Sequence, residues 1–329
     1  MPTRMVSLAL ALAAAGLGMV SIVPQANAQS TAYPSKSIRV MIGSGAGGLA
    51  DVTTRLVGQK LTDRLGQPVV VENRPSAGGI LATQAVATAA PDGHTLMVMV
   101  TGNAASKSLL KTLPYDLEKD FAPITSVAFF DLLVLVKGDS PLKTIADVVA
   151  LAKTKPGGLN IATTSTGSVQ NLTGHLLVAA TAVKANIITY KTSGDMLGSV
   201  LRGDTEFAID AYTSLKAAIT AKQLRPIVST GPARSQLLAE VPTMKEAGYK
   251  DFEMIGWNSL FAPAGTPPAT IALLNRHVRE ILALHDVQQR FLDLGVEAKA
   301  STPEEMGQLF KGTIGKFADA VQRAGIQKQ

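Results

Sequence analysis

The chain has 329 residues, a formal net charge of +6 at pH 7, 5% aromatic residues and no cysteine. The missing cysteine excludes disulfides, thiolate metal sites, thiol nucleophiles and a cysteine-linked lipid anchor. Basic residues are scattered and the aromatic platforms on which single strands stack are few, so no nucleic-acid partner is expected.

The N-terminus reads as a secretory signal peptide over residues 1–28. Arg4 lies in a short basic end, an apolar stretch covers 8–23, and Ala26 and Ala28 form an A-x-A cleavage site. The expected location is therefore the periplasm, in soluble form. Cleavage leaves roughly 300 residues, enough for two domains. No later stretch is apolar for long enough to cross a bilayer.

The stretch RVMIGSGAGGLADVTTRL, residues 39–56, follows. The apolar run 38–42 predicts a buried strand, and Val52, Leu56, Val57 and Leu61 fall at helical spacing. Between them Gly43, Gly45 and Gly48 fit G-x-G-x-x-G, and the run 69–71 ends in Glu72, where a dinucleotide fold places a ribose-binding acid. An NAD- or FAD-dependent oxidoreductase is thus one alternative. The physics of the loop is broader. Ser44, Ala46, Gly47 and Gly48 bring backbone N–H groups to a helix start, which attracts any anion, phosphate or carboxylate. Asp51 is read as complementing that helix's dipole.

The glycine-rich turn 76–79 and the segment from Thr101 through Asn103 to Ala104 end further strands and are expected to line the same cleft. Apolar runs at 94–100, 132–136, 159–163, 185–190, 206–210 and 225–229 alternate with helical patterns. Thr144 with Asp147 predicts a capping box, and 156–158 stops that helix. A second donor-rich turn, Thr164, Ser165, Thr166, Gly167 and Ser168, again joins a strand to a helix. Asp210 ends a strand, where open parallel sheets bind ligands; its alternative role is a cap. Thr266-Pro267 and Thr302-Pro303 each read as N-cap plus first helical residue. The last helix is expected over 303–324, and its Gly307, Gly312 and Gly315 require packing to hold it.

No nucleophile elbow, H-E-x-x-H or Walker lysine is present, and His94, His175, His277 and His285 form no visible ligand set. A binding protein without catalysis, metal or cofactor is expected. The alternation predicts an α/β architecture with mainly parallel sheets. Two crossing strands, near 130–136 and 252–257, would divide 29–131 with 256–329 from 132–255.

Several segments in order resemble the exported solute receptors of tripartite tricarboxylate transporters, the Bug family. They are YPSKSIRVMI from Tyr33, GGLAD at 47–51, QPVVVENRPSAGG at 67–79, APDGHTLM at 90–97, LPYDLEKDFAPIT at 113–125, ARSQLLAEVPTMKEAG at 233–248 and WNSLFAPAGTP at 257–267. The resemblance implies a type II periplasmic binding-protein fold, with two α/β domains around a ligand cleft. It also implies a small carboxylated ligand, a membrane permease as partner, and a monomer. Carried over, it points to 44–48, 101–103, 164–168, Tyr190 and Asp210 as the ligand site. The chain departs from the family's pattern in two places. Gly43, Ser44, Gly45 and Ala46 stand where the family has Pro and an aromatic, and Asn171 and His175 where it commonly has His then Glu. The lost ring is expected to enlarge or soften the pocket. A ligand sensor for a membrane signalling partner would use the same chemistry.

Overall fold

The computed structural model of the chain describes residues 33–166, 168–323 and 325–328. The expected signal peptide lies outside them, as does Gly167. The first third comprises β1 (Ile38–Ile42), α1 (Leu49–Leu65), β2 (Val69–Asn73), α2 (Ile80–Ala87), β3 (Thr95–Val100) and α3 (Thr101–Leu109). Next come β4 (Phe121–Lys137), α4 (Ile145–Thr154), β5 (Leu159–Thr164), α5 (Val169–Thr181), β6 (Ala185–Tyr190), α6 (Ser193–Arg202), β7 (Phe207–Ala211) and α7 (Tyr212–Thr220). The chain closes with β8 (Leu224–Ser229), β9 (Ile255–Pro263), α8 (Pro268–Leu282), α9 (His285–Asp293), β10 (Glu297–Ala298) and α10 (Pro303–Arg323).

The sheet runs in the order β2-β1-β3-β9-β4-β7-β5-β6, with β8 and β10 also paired to β4. Parallel pairing holds at its two ends, β1 with β2 and β3, and β5 with β6 and β7. The centre is antiparallel, through β9 and β4. β4 changes partners along its length. Residues up to Asp131 pair with β9, and those from Leu132 pair with β7.

The mainly parallel sheet expected from the sequence is thus mixed, because β4 and β9 are long strands that return beside one another. The first half of β4 carries Pro123, Thr125 and Ser126 and does not read as an apolar run. Those polar groups are buried yet paired. Thr125 Oγ1 donates to the Ser301 carbonyl (2.9 Å), Ser126 Oγ to the Lys299 carbonyl (2.7 Å), and Asn275 Nδ2 to the Ile124 carbonyl (2.7 Å). Buried hydroxyls cost little once bonded in this way.

Helix ends follow local chemistry. The capping box at α4 forms, with Asp147 N–H donating to Thr144 Oγ1 and Thr144 N–H to Asp147 Oδ2. Thr302 and Glu305 make the same reciprocal pair at α10. At α8 the expectation shifts by one residue. Pro267 occupies the cap and Pro268 the first turn, while Thr266 Oγ1 donates to the Pro263 carbonyl (2.8 Å). Met306, Phe310, Phe317 and Val321 fix α10 in the main apolar cluster despite its glycines. Phe310 meets the fully buried Trp257 edge to face, with centroids 5.9 Å apart.

Candidate functional site

A cavity of about 370 Å³ opens among the turns that follow β1, β2, β3 and β5. Gly43 and Ser44 line it from the first turn, and Ser76, Gly78 and Gly79 from the second. β3 gives Val98 and Val100, and α3 gives Gly102, Asn103, Ser106 and Leu109, followed by Leu110. Ser165, Thr166 and Ser168 line it from the start of α5, and Ile326 and Gln327 from the segment after α10. None of these side chains is charged.

The glycine-rich turns are built by a backbone contact. A Cβ on Gly43 would lie 2.6 Å from Gly79 Cα, and Gly79 itself sits at φ +70°. Only glycine allows both. Asn103 then staples this turn to α3, its Oδ1 accepting from Val100 N–H (2.8 Å) and its Nδ2 donating to the Gly78 carbonyl (3.1 Å). At the start of α5, Ser168 Oγ accepts from Asn171 N–H (3.1 Å) and from Thr164 Oγ1 (3.0 Å). Ser165 and Thr166 stay exposed toward the opening.

The sequence-predicted residues therefore divide. Ser44, Asn103, Ser165 and Ser168 are brought together around the cavity, whereas Ala46, Gly47, Gly48, Thr101, Thr164, Tyr190 and Asp210 do not line it. Gly47 N–H donates to Asp51 Oδ2 (2.9 Å), and Arg55 binds the same carboxylate at 2.9 Å. Burial alone would push the Asp51 carboxyl up. The hydrogen bonds from Arg55, Gly47 and Asn73 outweigh that and hold it below the usual range. Thr101 is spent on β9, accepting from Trp257 N–H (2.6 Å) and donating to the Trp257 carbonyl (3.2 Å). Tyr190 is half-buried against the apolar cluster around Leu133 and Met196.

Asp210 is buried and braces three helix starts. It accepts from Gln170 Nε2 (2.9 Å), Ser193 Oγ (2.6 Å) and Ala211 N–H (2.8 Å). Burial pushes its carboxyl up, and these donors pull the other way. Sequence reasoning missed the apolar residues of the cavity, Val98, Val100, Leu109, Leu110 and Ile326. Gly325, turning at φ +62°, is the one local signal that the chain bends back after α10.

The G-x-G-x-x-G spacing opens α1, but the acid it would need is occupied. Glu72 is gripped by Arg39 through two bonds of 2.7 and 2.9 Å, which hold its carboxyl below the usual range. Among the described residues, no group of three or more His, Asp or Glu could hold a metal ion, and no helix is long and apolar enough to cross a membrane.

The model of the tripartite tricarboxylate transporter family receptor matches residues 53–326. The chain belongs to this family. Among its relatives, Protein BugT of Bordetella pertussis is 33% identical, over 97% of this chain and 96% of that protein. The structure of MatC from Rhodopseudomonas palustris with bound malate matches with a TM-score of 0.73 at 31% identity, covering 88% of this chain and all of that one. R. palustris Rpa4515 with adipate matches with a TM-score of 0.78 at 28% identity, covering 90% and 100%. The α/β fold is that of the family's periplasmic binding proteins, and an oxidoreductase has no support among them.

Proposed function

We propose that this receptor captures a small organic acid in the cavity between the starts of α3 and α5 and presents it to a membrane permease, without making or breaking a bond. The observation that carries the reading is the lining itself: hydroxyls, two amides, an aliphatic wall and helix starts, with no charged side chain. Helix N-termini favour an anion that brings its own charge. The acids bound by the two R. palustris relatives, malate and adipate, support a carboxylate. Charge-assisted hydrogen bonds contribute about 1.5–3 kcal/mol each, and micromolar affinity needs about 8 kcal/mol net, so a few such bonds suffice without an arginine.

Two α/β lobes, 29–131 with 256–329 and 132–255, would close over the acid by a hinge. The change of partners in β4 between Asp131 and Leu132 supports a hinge at that point. The family's periplasmic binding proteins and the signal sequence support an exported form, which we read as a monomer. Titrating the mature protein with a panel of mono-, di- and tricarboxylates tests the reading. At least one acid should raise the melting temperature and compact the protein in solution scattering. A panel that does neither overturns it.

A further inference from the structure

The cavity's two ends differ, and α3 runs between them. Its first turn contributes Gly102 and Asn103, while Leu109 and Leu110 stand at its far end, roughly 10 Å further along the axis. At that far end Ile326 folds in from beyond α10, with Leu109 and Ile326 packed against the main apolar cluster. Val98 and Val100 extend the aliphatic wall. Ser106 Oγ is engaged, donating to the Asn103 carbonyl (2.7 Å), while the exposed Gln327 amide makes only a long contact to the Gly325 carbonyl (3.5 Å).

A carboxylate can be solvated by the donors at the helix starts. A second carboxylate set against Val98, Val100, Leu109 and Leu110 would lose water and gain no donor from those side chains, which is unfavourable. We infer that the acid this receptor takes is a monocarboxylate with an apolar body, alkyl or aryl. Its carboxylate meets the first turn of α3, and its body lies along Val98, Val100, Leu109, Leu110 and Ile326. The inference rests on the carboxylate reading above and names the class of acid.

Hexanoate and adipate decide it, since they match in length and differ by one terminal charge. In calorimetric titrations of the mature protein, affinity should rise roughly fourfold per methylene from butanoate to octanoate. Hexanoate should bind at least tenfold more tightly than adipate. Adipate, succinate or malate binding as tightly as hexanoate overturns the inference and leaves the receptor reading standing. Binding of no acid at all overturns both. The variants Ile326→Ser and Leu110→Gln, both at half-buried positions, should each weaken octanoate about tenfold and butanoate less than twofold. If octanoate and butanoate weaken equally in the variant that keeps its melting temperature, the wall does not hold the body.

Discussion

The starts of α1 and α5 share a plan, strand, donor-rich turn, helix, yet they are electrostatically opposite. The α1 start carries an anion of its own. Asp51 takes the Gly47 N–H and is neutralised in turn by Arg55. At the α5 start the cap is the neutral hydroxyl of Ser168, and the nearby carboxyl of Asp210 bonds the Gln170 side chain. A helix dipole already answered by a buried carboxylate has little left to offer a solute, whereas a neutral cap leaves the partial positive charge in place. Glycine and hydroxyl patterns alone do not distinguish the two. What separates them is one acid within the first turn.

Asp51→Ala should have the largest effect. It strips two charge-assisted partners, so unfolding stability at pH 7 should fall by about 3 kcal/mol in a urea titration. The pH dependence follows from the lowered carboxyl. Protons bind more readily to the unfolded chain, so the stabilisation is complete above the ordinary carboxylate value near 4 and disappears as pH falls through the lower folded value. The deficit of the variant should therefore shrink below about pH 4. A variant with wild-type stability at pH 7 would mean that α1 is as open to an external anion as α5.

Gly43→Ala should come next, at about 2 kcal/mol in the same titration. The new methyl group meets Gly79 backbone at 2.6 Å, and a backbone atom yields less readily than the tip of a side chain. Gly45→Ala is the contrast within the same turn. Nothing lies within 4 Å of its Cβ position, so a change within about 0.5 kcal/mol is expected. The three glycines of the apparent fingerprint thus have different duties. Gly43 permits a turn-to-turn contact, rather than the approach of a pyrophosphate.

Much of this was readable beforehand because it is local. β1, α1 and β2 follow from apolar runs and helical spacing, the capping box at α4 from residues three apart, and the α10 start from Thr302 before Pro303. β9 beyond Trp257 and the first half of β4 escape such reading because buried Asn258, Ser259, Thr125 and Ser126 interrupt their apolar pattern. The partners that make Thr125 and Ser126 acceptable, around Ser301, are more than 170 residues away. The site divides in the same way. Its donor turns are visible in sequence, but Leu109 and Leu110 read as core at a helix end. Ile326 reaches the cavity only because α10 packs on α3. Asp210 reads as a strand-end acid, yet two of its three donors, Gln170 and Ser193, come from separate helices at distances that no spacing reveals, and with Ala211 N–H they hold it as a brace.

A smaller loss of stability than at Asp51 or Gly43 should come from Ser168, and it separates capping from binding. Ser168→Ala removes the acceptor for Asn171 N–H and should cost about 1 kcal/mol. Ser168→Asp restores an equally good cap and should lie within about 0.5 kcal/mol of the wild-type chain. Its carboxylate also sets a negative charge at the α5 start, as Asp51 does at α1. Acid binding, followed by calorimetry, should then be lost in Ser168→Asp while folding is kept. Ser168→Ala should bind, only more weakly. If Ser168→Asp binds its acid as the wild-type chain does, the open start of α5 is not what holds the solute, and the contrast between the two helices has no bearing on capture.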